Sequence, residues 1–297
     1  MSKAAKELLL ELIKQRNDEF ITQRGEHLYS EQESQRMARK EEALKRRKAE
    51  LVRSNVRGQL IGQRAFEHQL QIDYALHYEH LLRQGSKIYM EEQQQQRRAT
   101  FVHNELHEDE EITMPVLGER RLTEEKRGED ETKRSVSKGY NRLEAVRYAE
   151  RWWDDYNPQY QQFTDNCTNF ISQCVRAGGA QMNGHPERGK GWWFSGDNWS
   201  YSWSVAHSFR WNLSGAKSGL RGEEQEKASD LLPGDVICYD FNGDDRWQHT
   251  TIVVAKDAYG EPLVNAQTTN SRMRHWAYED STAWTPEIKY KFFRILV

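Results

Sequence analysis

The sequence has little of what marks a secreted, membrane or nucleic-acid-binding protein. Only three of its 297 residues are cysteine, too few for a disulfide framework, so we expect free thiols in a reducing compartment. It contains no run of about 18 apolar residues, which excludes a membrane-spanning helix. Its 43 basic residues nearly balance 46 acidic ones, giving a net charge of −3. The chain has no excess of positive charge, so we do not expect nucleic acid as a partner.

The apolar run at the N-terminus is too short for a signal peptide. Leu8–Leu10 is flanked by Glu7 and Glu11, and no small-residue cleavage site follows. A signal peptide needs a longer uninterrupted apolar segment. We therefore expect a protein made without such a signal and located in the cytoplasm, with spore or cell-envelope association as the alternative.

Histidine pairs come closest to a metal-binding pattern. His77 and His80 stand three apart and His103 and His107 four apart, spacings that would place each pair on one side of a helix. No third ligand follows in register, so solvated polar faces are the favoured interpretation and we expect no metal. No phosphate-cradling Gly-Lys loop or dinucleotide glycine pattern occurs, and we expect no cofactor.

The chain divides into two parts of different composition. All ten tryptophans lie after residue 150, whereas the first part is rich in Glu, Gln, Arg and Lys. Residues 2–100 contain no proline and carry apolar residues at helical spacing. We therefore predict a long α-helical, coiled-coil-like arm with a charged linker over residues 1–137, able to self-associate, and a second domain over 138–297.

Smaller features of the first part refine this prediction. The glutamine run Gln93–Gln96 is low in complexity and is expected to be exposed. A short strand is predicted at 112–116, between the acidic stretch 105–111 and a linker at 119–138.

Short elements replace the helical pattern in the second part. Two helices come first, followed by four strands separated by turn residues. The predicted helices are Asn141–Tyr156 and Cys167–Ala177, and the predicted strands are Val236–Tyr239, Thr250–Ala255, Leu263–Ala266 and Lys289–Leu296. Helices followed by an antiparallel sheet predict an α+β fold.

Cys167 is the leading candidate for a nucleophile. It begins a predicted helix, where unpaired N–H groups and the helix dipole favour a thiolate and can donate to an oxyanion. The alternative is a buried cysteine that behaves as a small hydrophobic residue. Cys174 and Cys238 suit that alternative, because each lies among apolar residues.

His249 is the candidate base, at the mouth of an apolar strand. An ordinary strand-end histidine is the alternative. On the next predicted strand Asn265 and Gln267 share one face, and either can accept the second N–H of the imidazole. Asn265 is favoured, since its shorter amide loses less rotamer freedom.

Tryptophans are dense between the candidate nucleophile and the sheet. Trp192, Trp193 and Trp247 are assigned to a cleft wall that stacks on substrate, and core filling is the alternative for each ring. Asp165 and Asn166, directly before the cysteine, are assigned to substrate binding as well.

Together these residues carry a resemblance to a known family. Residues 140–296 resemble the "Putative amidase domain" of Bacillus-type proteins, a branch of the papain-like cysteine hydrolases that includes the NlpC/P60 and CHAP families. The matching segments are Asp165–Gln173, Leu232–Val236 and His249–Val253. The resemblance implies a papain-like layer of helices on an antiparallel sheet, with Cys167 as nucleophile, His249 as base and a polar residue on the following strand.

Two positions depart from the family pattern. Asn166 stands where the family usually has aspartate before the cysteine, and Gln267 stands where it often has histidine. The first departure alters the charge beside the nucleophile. The second leaves the third catalytic role open between Asn265 and Gln267.

Two functions follow. The leading one is a cysteine amidohydrolase that cleaves amide or peptide bonds through a thioester, with cell-wall peptides such as peptidoglycan fragments as the implied substrates. The rival is an inactive hydrolase-fold scaffold that assembles through its helical arm, which Asn166 and the large charged arm favour.

Overall fold

The computed structural model describes residues 3–22, 31–112 and 139–297 and consists of two compact units. The first comprises Met1–Met114 with Ala277–Thr282, and the second Pro115–Trp276 with Ala283–Val297. The predicted boundary at residue 137, the predicted linker and most of the predicted strand at 112–116 lie outside the described residues. Within the described ranges every helix is too short or too polar to span a membrane.

The described residues of the first unit form an antiparallel meander of four strands and two helices. The helices are α1 (Lys3–Thr22) and α2 (Glu31–Arg46), and the strands are β1 (Ala49–Phe66), β2 (Gln69–Gln84), β3 (Lys87–Val102) and β4 (Glu105–Glu111). Leu9, Leu12 and Ile13 of α1 form one core cluster with residues of β2 that include Ile72 and Leu76. The apolar side of α1 therefore packs on a sheet and not on a second helix.

The predicted coiled-coil-like arm is wrong, because more than half of its described residues form long strands. In β2 alternate side chains are buried, the period of a strand with one face in a core; these positions are Ile72, Tyr74, Leu76, Tyr78, His80 and Leu82. Gly85, with φ +58°, supplies the left-handed conformation of the two-residue turn into β3. Gln93 and Gln95 lie inside β3 and are buried, so the expected exposure of the glutamine run is wrong too.

Charged pairs fill the inward positions of β3 where apolar residues would be expected. Arg97, which is 1% exposed, lies 2.7 Å from a carboxylate oxygen of Glu33 and 3.4 Å from one of Asp109. Lys40 lies 2.6 Å from Glu91. Burial tends to raise the pKa of Glu33, but the guanidinium groups of Arg97 and Arg16 hold it below its usual value. These residues come from distant parts of the chain, so no local pattern shows their pairing.

The second unit is a six-stranded antiparallel sheet with helices and a small hairpin inserted before it. Its helices are α3 (Arg142–Trp152), α4 (Cys167–Ala177), α5 (Tyr201–Ser204) and α6 (Ala206–Gly215). Its strands are β5 (Phe194–Ser195), β6 (Asn198–Trp199), β7 (Arg221–Gln225), β8 (Val236–Asp240), β9 (His249–Lys256), β10 (Pro262–Ala266), β11 (Ser271–His275) and β12 (Lys289–Leu296). The sheet order is β11-β10-β9-β8-β12-β7, and β5 pairs with β6.

Local signals were reliable in this unit. Helix α4 and strand β12 have the predicted bounds, and β8, β9 and β10 each contain the predicted strand. Helix α3 is shorter than predicted. Asn141 caps its first turn by accepting the N–H of Glu144 at 3.2 Å, and the helix ends at Trp152, before the predicted stop.

The predicted fold class as a whole is nevertheless wrong. Antiparallel strand is the main secondary structure of the described residues, and the described residues before the second unit form no long helical arm. Residues 49–111 are rich in helix formers, which favour a helix by propensity, but pairing with neighbouring strands determines their structure.

Candidate active site

Helix α4 carries Cys167 at its first position. Every residue from Cys167 to Val175 is buried, and Cys167 itself is 5% exposed. Asn166 occupies the N-cap position but its side chain makes no capping bond. Instead, the hydroxyl oxygen of Thr268 accepts the N–H of Asn166 at 2.9 Å and that of Cys167 at 3.1 Å. The start of the helix is therefore capped from the loop after β10.

Thr268 is a residue that sequence reasoning missed. Its φ is +90°, a left-handed conformation that strains a β-branched side chain. It is exposed, so packing does not explain the conformation; the two hydrogen bonds to the start of α4 do. Nothing local in the sequence signals this role, because the two partners are about 100 positions apart.

The sulfur of Cys167 lies among hydroxyl groups at the start of β9. It is 3.7 Å from the Thr168 hydroxyl, which in turn is 3.2 Å from that of Thr250. Burial raises the pKa of the Cys167 thiol, while hydrogen bonds from Thr168 and Thr250 oppose the rise. The lowered thiol pKa expected for a helix-start cysteine is thus not what the structure shows, since desolvation outweighs the donors. Burial therefore favours the neutral thiol at Cys167.

His249 lies on the other face of the sheet. It pairs with Tyr239 in the β8–β9 register, whereas Thr250 pairs with Cys238 on the face that carries α4. The imidazole is tilted against the Tyr239 ring, with the centroids 5.6 Å apart, and stacks on the Phe241 ring at 6.0 Å. Burial, with a smaller contribution from Arg274, lowers the pKa of His249 to about 3. The structure therefore places the Cys167 sulfur against the neighbour of His249 and not against its ring.

Asn265 and Gln267 point to the helix side but contact other partners. Asn265 donates to Glu150 at 2.9 Å and accepts the N–H of Met273 at 2.9 Å. Gln267 donates to the carbonyl oxygens of Trp152 and Asp155 at 2.5 and 2.8 Å. Neither amide is bonded to His249. Both instead tie helix α3 and the loop after it to the sheet.

The two departures from the family pattern contact each other. Asn166 donates its side-chain N–H to the Gln267 amide oxygen at 2.5 Å, and both residues are buried. An amide pair thus stands where the family pattern has aspartate and histidine. Because the pair is neutral and hydrogen-bonded, it holds the segment before Cys167 without adding charge beside the sulfur.

The predicted substrate-binding residues are dispersed. Asp165 is exposed. Trp192 is fully buried and donates to the Ser172 hydroxyl at 2.9 Å, and Trp193, 1% exposed, donates to backbone oxygens. Trp247 is 6% exposed and lies in the core cluster on the helix side, and its backbone N–H donates to Nδ1 of His207 at 3.4 Å. Of these rings only Trp247 lies near the start of β9.

One group in the described residues has the composition of a metal site. Single ligand atoms of His77, Glu79 and Glu92 lie within 4.8 Å of one another on the sheet of the first unit. The side chains already pair among themselves and with a neighbour: His77 lies 2.8 Å from Glu92, and Arg57 donates to Glu79. These contacts account for the grouping as cross-strand pairs.

Comparison with known protein families identifies the family of the second unit. The family described as "Putative amidase domain" matches residues 139–293, just over half of the chain. The chain belongs to this family. Its description indicates amide hydrolysis as the class of reaction, whereas the predicted relation to the NlpC/P60 and CHAP families stays a prediction.

Relatives in Bacillus subtilis (strain 168) extend the match. The chain is 46% identical to the uncharacterized protein YhbB over 266 residues, which is 88% of this chain and 86% of that protein. It is 29% identical to the uncharacterized protein YjcM over 140 residues, 45% of this chain and 32% of that protein. No solved structure matches the chain. Because the YhbB match covers so much of the chain, it extends beyond the amidase range into the strand-rich first unit.

We expect Thr268→Val to lower the free energy of unfolding by about 1–2 kcal/mol, as for the loss of a helix cap. Valine keeps the β-branch but removes the oxygen that accepts two N–H groups. Urea denaturation followed by tryptophan fluorescence reports this unit, since all ten tryptophans lie in it. Thr268→Ser should stay close to wild type. An equal loss in both variants would contradict the capping role.

We expect acid to destabilise the second unit partly through His249. The folded ring stays neutral down to about pH 3, whereas in the unfolded chain it binds a proton near pH 6.5. The unfolded state therefore binds more protons in this window, so stability is lost as the pH falls from about 6.5 toward 3. In urea titrations His249→Gln should flatten this slope, and the exposed control His185→Gln should not. Equal slopes for His249→Gln and wild type would contradict the shift.

Proposed function

We propose that this amidase-family protein hydrolyses amide bonds with Cys167 as the nucleophile. The observation that carries the proposal is the position of its sulfur. It lies at the first residue of α4, in contact with Thr168 and close enough to Thr250 for that residue's N–H and hydroxyl to act on it. A helix start with donors on the facing strand is suited to stabilise a thiolate once the proton has left.

The proposed reaction has two halves. The Cys167 thiol loses its proton and its sulfur attacks the amide carbonyl carbon; the C–N bond breaks, the amine leaves with a proton, and a thioester forms. Water then attacks the thioester, releasing the acid and the thiol. The Cys167 N–H, which Thr268 accepts in the resting protein, becomes available to the oxyanion when the substrate displaces that hydroxyl.

The base is assigned by a comparison of two histidines. We propose His249, at the first position of β9, with its ring turned around the end of the strand toward the sulfur during the reaction. Catalytic contacts are often incomplete in unliganded proteins, so the resting position does not disqualify it. His207 lies on the helix side, beside Trp247. Loss of kcat in His249→Ala but not in His207→Ala supports the proposal, and the reverse result transfers the role.

The experiment is capture of the acyl-enzyme. Purified protein is screened against simple peptide amides and peptidoglycan fragments, which the family resemblance favours as substrates, and intact mass is recorded during turnover. The expected adduct is a thioester on Cys167 that hydroxylamine removes. Turnover without acylation of Cys167 would overturn cysteine catalysis, and no turnover of any amide would favour the scaffold.

A further inference from the structure

Within the described residues, Arg210 is a buried cation without an anionic partner. It lies on α6, is 8% exposed, and its Nη1 donates to the Ser214 hydroxyl at 3.2 Å. Its Nε is buried and has no hydrogen-bond partner in the part of the chain that the structure describes, and no described carboxylate pairs with the side chain. Arginine stays charged at any physiological pH, so burying it unpaired is costly. Such a group in a native fold calls for an explanation.

Two indole rings hold the guanidinium in place. Its central carbon lies 3.8 Å from the ring centroid of Trp211 and 5.5 Å from that of Trp247. Arg188 is similarly placed near Trp199 and Tyr201, but it is exposed. Stacking on aromatic rings therefore occurs at both sites, and only Arg210 combines it with burial. Rings that contact the faces of a guanidinium leave its N–H edge for a planar acceptor.

Arg210 lies on the same side of the sheet as Cys167. Burial raises the pKa of the Cys238 thiol; the Arg210 charge opposes this rise and Cys167 adds to it, so both groups act on one buried sulfur. Cys238 pairs across the strands with Thr250. The Thr250 hydroxyl lies 3.2 Å from the hydroxyl of Thr168, the residue after Cys167. Trp247 is three residues before Thr250. Cation, ring and nucleophile therefore surround one end of β8 and β9.

We propose that Arg210 binds a carboxylate of the substrate, so that the protein selects amides with a negative charge near the scissile bond. This rests on the proposed function of Cys167. The substrate class is N-acyl amino acids and peptides with a free carboxylate close to the cleaved amide. A carboxylate matches the N–H fork of arginine and supplies the acceptor that the Nε lacks in the described residues.

The test uses the full-length chain and two pairs of probes. For turnover, N-acetyl dipeptides with a free C-terminal carboxylate are compared with their C-terminal amides. For binding without turnover, N-acetylglycine and N-acetylglycinamide are titrated into the Cys167→Ala protein and followed by tryptophan fluorescence. Wild-type kcat/KM, and binding in the Cys167→Ala background, should favour the carboxylate by about 10- to 100-fold, as for hydrogen bonds to a charged group.

Matched variants decide the role of Arg210. Arg210→Gln should erase the preference by weakening only the carboxylate probe, Arg210→Lys should keep part of it, and Arg188→Gln should leave it unchanged. Arg210→Gln should also unfold at the same or a higher urea concentration, because it removes a buried charge that no described carboxylate pairs with. If Arg210 had a purely structural role, Arg210→Gln would instead lower the stability without changing the selectivity. That result would overturn the proposal.

The remaining outcomes separate this inference from the proposed function. Equal binding of N-acetylglycine and N-acetylglycinamide overturns the carboxylate site even if amides are hydrolysed. A preference that persists in Arg210→Gln overturns it as well. Arg210-dependent binding of the carboxylate in a protein that hydrolyses no amide supports the anion site and refutes the hydrolase.

Discussion

Cys167→Ala is expected to lower kcat for amide hydrolysis by about 10⁴-fold or more, as removal of the nucleophile does in covalent hydrolases. The side chain is small, and its sulfur makes weak polar contacts, with the Thr168 hydroxyl at 3.7 Å and with Thr250. The free energy of unfolding should therefore change by only about 1 kcal/mol, the typical effect of a point substitution. Turnover and urea denaturation of the same preparation separate the two effects.

Cys174→Ala is the matched control, because Cys174 is fully buried in the middle of the same helix. It should lose stability through the small cavity it leaves and keep its turnover per folded molecule. Normal turnover in Cys167→Ala would refute the nucleophile assignment. Loss in Cys174→Ala alone would transfer the role to that thiol.

Asp235→Ala is expected to lower the free energy of unfolding by about 3–5 kcal/mol, the usual effect of breaking a buried charged pair. Asp235 is completely buried. Its carboxylate accepts from the Arg142 guanidinium at 2.5 Å, from the Leu232 N–H at 2.8 Å and from the Ile295 N–H at 2.9 Å. One side chain thus joins the start of α3, the turn before β8 and the end of β12.

The measurement is urea denaturation followed by tryptophan fluorescence, with the exposed Asp230 replaced by alanine as the control. Asp230→Ala should lie within about 0.5 kcal/mol of wild type, as surface substitutions usually do. Asp235→Asn should be intermediate, because its amide oxygen still accepts but carries no charge. A loss for Asp235→Ala no larger than that for Asp230→Ala would contradict the assignment.

Local sequence was sufficient where neighbouring residues determine the structure. Helix α4 was predicted with its observed bounds because its i,i+4 apolar pairs and Gly178-Gly179 act within a few turns. Strand β12 followed from an equally local pattern. The position of Cys167 at a helix start belongs to this class, and it is the part of the candidate site that sequence reasoning located directly.

Pairing between distant parts of the chain determines the strands of the first unit, which local sequence patterns did not predict. In β2 the alternation of buried residues is visible in the sequence. The inward side of β3 instead carries Glu91, Gln93 and Arg97, whose partners include Lys40 and Glu33. A polar residue is acceptable at a buried position only when a partner reaches it, and such partners are not visible in a local window. The helix propensity of these residues therefore predicts a helix, whereas pairing between strands determines the structure that they form.

The sequence by itself determined that Cys167 begins a helix and that His249 lies at the mouth of a strand. Only the tertiary structure decided that Thr250, and not His249, faces the sulfur. A strand exposes successive side chains on opposite faces, so a shift of one residue in the β8–β9 register would exchange the two. That register depends on contacts across the whole sheet, which no single segment of the chain contains.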